Sequence, residues 1–215
     1  MVKKYKQYLK ENNIVYSSDE VDPYGEEDWD EDDDLTPVLK IAKKQGLPYG
    51  QIIRFDCSRK DLTNLEGIEK LSNLKILDCD NNNLTTLEGI ESLSNLQYLY
   101  FGNNNLTSLN GIENLSNLIN FSCSNNNLTN LKGIENLINL KDLYCSQNNL
   151  TSLKEIENLT ELKYLFCSNN NLTTLKGLEN LLKLENLYCQ NNNFSNEYKQ
   201  YIKKYCKNKN IELEI

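Results

Sequence analysis

Between Leu62 and Asn193 the apolar positions of this chain return every 22 residues, and with them an Asn and a Cys, in the string LxxLxCxxNxL. Six frames open at Leu62, Leu84, Leu106, Leu128, Leu150 and Leu172, and a degenerate one precedes them through Ile52, Phe55 and Cys57. A period of this length, held without a gap, marks a solenoid in which each unit buries its apolar edge only against its neighbours. The LxxLxC part predicts a short strand with its apolar residues turned inward. Stacking the units lays seven such strands side by side as a parallel sheet, about 4.8 Å apart.

After the Asn the chain must turn and cross back in about eleven residues, which leaves room for a turn or two of 3₁₀ or short helix. Gly67, Gly89, Gly111, Gly133 and Gly177 recur at one point of that crossing, where a positive φ or close packing is the expected demand. Glu155 takes the remaining place, either under local strain or because the position tolerates an ordinary side chain. Both ends of the repeat block change pattern. Thr36 and Pro37 form an N-cap and a first-turn proline, and Val38, Leu39, Ile41 and Ala42 supply an apolar face before Gly46 and Pro48 stop the helix. Ser195 opens a second amphipathic helix, with Tyr198, Tyr201, Ile202, Tyr205 and Cys206 on one side, and Ile211, Leu213 and Ile215 alternate as a final strand. The open ends of a solenoid need such caps.

The block, with Leu96, Leu99, Phe101, Asn104 and Leu106 in its third unit and Leu162, Leu165, Cys167, Asn170 and Leu172 in its sixth, resembles the leucine-rich repeat. Among its variants it is most similar to the 22-residue internalin-type form, over roughly residues 52 to 194. The resemblance implies an α/β solenoid: a curved stack with a parallel concave sheet, short 3₁₀ or helical convex segments, a helical N-cap and a helix-strand C-cap. The expected layout is an extension over 1–34, the N-terminal cap over 35–50, repeats over 51–193 and the C-terminal cap over 194–215. The family implies a protein-interaction scaffold and names no partner.

Two columns of the repeat invite chemistry. Asn82, Asn104, Asn126, Asn148, Asn170 and Asn192 follow the strand where backbone groups are buried without a ladder, and an inward amide can both donate and accept there. The neighbouring asparagines, Asn81, Asn83, Asn103, Asn105, Asn125 and Asn127, read as surface residues, their number a matter of compositional bias. Cys57, Cys79, Cys123, Cys145, Cys167 and Cys189 share one column, and Phe101 takes its missing place, so the column is an apolar one. The cysteine ladder is itself similar to that of some internalins. One cysteine per unit is not a disulfide framework, and a straight column without a CxxC pair or any His does not converge on a metal. Cys206 falls on the apolar side of the last helix. No metal and no cofactor are expected.

The net charge of −8 belongs to one segment: eleven of the eighteen residues from Ser17 to Asp34 are Asp or Glu, and none is basic. Such a run cannot bury enough apolar surface to offset its own repulsion, so disorder is expected for it, after a short basic helix over Val2 to Asn12. Trp29, inside Glu26 to Glu31, resembles the tryptophan-acidic motifs that dock onto basic grooves, with a solvated spacer as the plainer reading. No apolar stretch reaches membrane-spanning length and no signal-peptide pattern opens the chain, so a cytoplasmic monomer is expected, with non-classical secretion or delivery into a host left open.

The strand residues that flank the inward ones face the concave side. One column reads Asp56, Asp78, Tyr100, Ser122, Tyr144, Phe166 and Tyr188, the other Arg54, Ile76, Tyr98, Asn120, Asp142, Tyr164 and Asn186. Aromatic residues therefore gather on the C-terminal two-thirds, with Asp56, Asp78 and Asp80 at the N-terminal third. The candidate partner-binding residues are Tyr98, Tyr100, Tyr144, Tyr164, Phe166 and Tyr188 with those three aspartates. Tyr is a favoured interface anchor, and the competing reading is that aromatics suit a strand and stack across rungs unaided. Three function classes follow. The favoured one is a non-enzymatic scaffold binding a polypeptide on the concave face, with an adaptor docking through Trp29, or a host-directed effector or regulator of a partner enzyme, as variants. An enzyme is disfavoured by the absence of His and of room for a catalytic domain, and nucleic-acid binding by an acidic chain without a basic stripe.

Overall fold

A computed structural model describes residues 35–215; the helix expected over Val2 to Asn12, the acidic run and Trp29 lie outside the described residues. Every repeat forms one three-residue strand: β1 (Arg54–Asp56), β2 (Ile76–Asp78), β3 (Tyr98–Tyr100), β4 (Asn120–Ser122), β5 (Asp142–Tyr144), β6 (Tyr164–Phe166) and β7 (Asn186–Tyr188). The cap contributes β8 (Glu212–Glu214), so the sheet has eight strands in sequential order, all parallel. Register follows the 22-residue period, pairing Asp78 with Tyr100 and Tyr144 with Phe166. Each central strand residue, from Phe55 to Leu187, is fully buried in a single core that runs the length of the stack.

The asparagine column closes the backbone at each strand exit. Asn126 accepts the Leu106 amide on Oδ1 at 2.9 Å and donates Nδ2 to the Phe101 and Cys123 carbonyls at 2.8 and 3.1 Å, thereby bonding its own unit to the one before. The same bonds recur at Asn82, Asn104, Asn148, Asn170 and Asn192. The residue before each of these, Asn81, Asn103, Asn125, Gln147, Asn169 or Asn191, has φ between 54° and 59°. Asn tolerates that left-handed turn better than most residues, so the first of the neighbouring asparagine columns has a conformational cause that compositional bias does not supply. A second, exposed ladder escaped the sequence reading. Asn73, Asn95, Asn117 and Asn139 donate to the carbonyls of Gly50, Ser72, Ser94 and Ser116, and in the last repeats an ion pair at 2.6 Å, Glu161 to Lys183, stands in that column.

The convex crossings carry 3₁₀ turns at Ile68–Lys70, Ile90–Ser92, Lys154–Ile156 and Leu178–Asn180. The glycine column meets both of its expected demands at Gly67: φ is +93°, and a Cβ there would lie 2.7 Å from Thr36 Oγ1 and 2.8 Å from Leu39 Cγ of the cap helix. Glu155 is accommodated by a change of backbone. Its 3₁₀ turn starts at Lys154, ahead of the usual place, and the left-handed residue is lost. The side chain is only 3% exposed and its Oε2 has no hydrogen-bond partner.

Helix α1 (Pro37–Lys43) is capped by Thr36, whose hydroxyl accepts the Leu39 amide, and buries Val38, Leu39 and Ala42 over the first repeat. Helix α2 (Asn196–Lys209) is capped by Ser195 and ends on Asn210 in the left-handed region. Ile202 and Cys206 are buried in the core, whereas Tyr201 is 56% exposed at the rim between Tyr198 and Tyr205. The Leu175 amide donates to Tyr198 Oη at 2.7 Å, so the helix is bonded to the last crossing as well as packed on it. All seven cysteines are free and buried. Burial in apolar surroundings pushes the Cys145 thiol up to about 12, far from a reactive thiolate.

Candidate functional site

Strand alternation sends the first and third residue of each strand to the outward face of the sheet. At the N-terminal end that face is acidic. Asp56 is exposed and accepts the amide and hydroxyl of Ser58; Asp78 accepts the Asp80 amide at 3.0 Å; Asp80 accepts the Gly102 amide at 2.6 Å. The Asp56 and Asp78 bonds close the turns after β1 and β2 and the Asp80 bond joins two successive repeats, so the aspartates have a structural use beside any contact with a partner. Burial, followed by the neighbouring Asp78 charge, raises Asp80 to about 7, and burial raises Asp78 also.

The middle of the face is filled. On β4, Asn120 and Ser122 are both buried, the former donating to Asp142 at 2.8 Å while its Oδ1 has no hydrogen-bond partner. Tyr98 and Tyr100 lie half-buried on β3 beside them.

From β5 onward the face is aromatic. The rings of Tyr144 and Phe166 stack at 4.7 Å and 16°, and those of Phe166 and Tyr188 at 4.4 Å and 3°. The near-parallel stacking follows from residues in register on adjacent parallel strands, which repeat at a distance close to the stacking distance of two rings. Burial, with the Asp142 charge beside it, pushes the Tyr144 hydroxyl up to about 12, so it stays a neutral donor. Tyr164 sits in the companion column and donates to Glu185 at 3.3 Å, while Lys163 pairs with the same carboxylate at 2.7 Å.

The candidate residues thus fall into two groups, an acidic one on β1 and β2 and an aromatic one on β3 and β5–β7, with the buried pair on β4 between them. Sequence reasoning did not include Glu212 and Glu214. They extend the two outward columns onto β8, where Asn186 pairs with Glu212 and Tyr188 with Glu214 in register. Asn186 donates to Glu212 and Gln190 to Glu214. The alternation of Ile211, Leu213 and Ile215 carried the signal, but these residues lie outside the 22-residue period that organised the reading.

No helix of the described residues is long and apolar enough to cross a membrane, and no group of metal-binding side chains occurs among them. The family model for leucine-rich repeats in two copies matches residues 72–114. No curated relative matches the sequence. Among solved structures, internalin C2 from Listeria monocytogenes superposes with a TM-score of 0.67 at 28% identity, over 69% of this chain and 66% of that one. The chain therefore spans slightly less than two thirds of that internalin. The 22-residue period, the single unclosed parallel sheet, the matched family model and the superposition lead to one conclusion: residues 72–114 carry leucine-rich repeats, and the chain has the fold of an internalin-type leucine-rich repeat solenoid.

Proposed function

We propose that this protein is a non-enzymatic scaffold that binds a polypeptide partner on the concave face of its sheet, through the aromatic row of β5–β7. The repeat family and the internalin-like fold support protein interaction in general. The observation that carries the concave face is the stack of Tyr144, Phe166 and Tyr188, three half-buried rings held in one orientation on an outward face. Rings fixed in this way lose little entropy on contact and present a continuous row of edges and hydroxyls. Tyr98, Tyr100 and Tyr164 extend the surface, and Asp56, Asp78 and Asp80 mark its acidic end.

The test is capture of a partner from lysate by the full chain and by Tyr144→Ser with Phe166→Ser. Loss of capture by a protein that still melts cooperatively, with its melting temperature lowered by no more than about 5 °C, is the expected result. Full capture by a stable double variant would move the site off this face. Deletion of residues 1–34 should leave capture intact, which separates this reading from docking through Trp29.

A further inference from the structure

We infer that the β5–β8 end of the concave face is built to take arginine side chains of an extended polypeptide segment, with a guanidinium laid on Tyr188 and held by Glu214. This rests on the concave-face reading above and adds the chemistry of the partner.

The outward residues of β5–β8 form a block of two columns by four strands. One column runs Asp142, Tyr164, Asn186, Glu212 and the other Tyr144, Phe166, Tyr188, Glu214. Carboxylates stand at three of its four corners and aromatic rings fill its length. Each corner carboxylate accepts a neutral amide, from Asn120, Asn186 or Gln190, which orients the group. Tyr188 ends the stack. Phe166 covers one of its faces, and the next register position on the other side holds Glu214 and no ring.

A planar cation beside a ring face, with a carboxylate in the same plane of approach, is the arrangement that a guanidinium satisfies by stacking and by paired N–H donors. Lysine offers a point charge that neither stacks nor forks, so the site discriminates between the two. The space between Tyr188 and Glu214 lies about two and a half strand spacings across and two residues along the strand from Asp142, about 14 Å on the diagonal, which an extended chain covers in about four residues. The occupant is therefore a segment crossing the strands with arginines four residues apart, one over Tyr188 and one against Asp142.

Fluorescence anisotropy of the full chain with labelled twelve-residue peptides tests this. The peptides carry two arginines, two lysines or two glutamates four residues apart in one Gly/Ser background. The arginine peptide should bind, the lysine peptide several-fold more weakly and the glutamate peptide not at all. Neutralising the corners by Asp142→Asn, Glu212→Gln and Glu214→Gln should weaken arginine-peptide binding about tenfold. The same number of changes in the acidic run, Glu20→Gln, Glu26→Gln and Glu27→Gln, should alter it less than about twofold.

Equal loss in the two triple variants, equal binding of lysine and arginine peptides, or no binding of the arginine peptide would each overturn the inference. If the corner variant does not fold, the peptide series on the unaltered chain decides. Partner capture that still depends on Tyr144 and Phe166, in a protein indifferent to arginine, would leave the concave-face reading standing and remove only the arginine preference.

Discussion

The inward and outward faces of the same eight strands obey different rules. Inward, one residue type answers for each column: leucine or phenylalanine at the strand centre, cysteine or phenylalanine after it, asparagine at the exit. Outward, in the column that begins with Asp56, residues change from acid to aromatic to serine, back to aromatic, and to acid again at Glu214. The difference shows which positions the stack dictates. A buried column has one neighbour above and one below and must fill a fixed volume, whereas an outward position is constrained only by its lateral contacts. Variation along the outward columns is therefore where chemistry specific to this chain resides.

Adjacent residues of one strand give the sharpest contrast. Leu143 is fully buried at the centre of β5, so Leu143→Ala should cost about 2 to 5 kcal/mol through lost burial and the cavity it leaves. Tyr144→Ser, one residue on, removes a half-buried ring that stacks on Phe166 and should cost roughly 1 kcal/mol. Urea midpoints of the two variants measure both. A Tyr144 variant as damaged as the Leu143 one would show that the ring row is part of the core, and the separation of faces would fail on this strand.

At the strand exit the contrast is between amides. Asn126→Ala leaves the Leu106 amide and the Phe101 and Cys123 carbonyls without their side-chain partner and should destabilise by about 1 to 3 kcal/mol. Asn127, next to it, is exposed, and its replacement by Ala should stay within about 0.5 kcal/mol. Equal midpoints for the two would remove the ladder as a source of stability.

The inward face was legible from the sequence because its constraint is periodic. The strands, the asparagine and glycine columns and both caps all repeat or terminate a pattern that twenty-two residues establish. What was not legible depended on geometry between units. The exposed ladder of Asn73, Asn95, Asn117 and Asn139 has the same period, yet its purpose shows only when each amide meets a carbonyl 23 residues earlier. Glu155 breaks a column, and the sequence could not say that the backbone would abandon its left-handed turn. Glu212 and Glu214 join the candidate site through β8, whose parallel pairing with β7 continues the sheet beyond the last repeat.

An effect of a few degrees, dependent on pH, is expected at the acidic end of the outward face. In the folded chain Asp80 titrates at about 7, raised from 3.8 by burial and then by the Asp78 charge. Between those two values the folded state binds more protons than the unfolded state, so stability falls as pH rises through the window. Its contribution is fully favourable below about pH 4 and is lost as pH passes about 7. Asp80→Asn keeps an oxygen for the Gly102 amide and removes the charge, so it should raise the melting temperature by a few degrees at pH 8 and leave it unchanged near pH 4. Thermal melts of the two proteins at both pH values read this directly. A gain of the same size at both would assign the effect to packing, and a loss at pH 8 would mean that the ionised carboxylate holds the turn at Gly102 more strongly than burial and Asp78 oppose it. On an inward position no such titration falls near neutral pH, because the columns there are built from apolar and amide groups and from thiols such as Cys145, pushed up to about 12 by burial, Glu155 on the convex crossing being outside those columns.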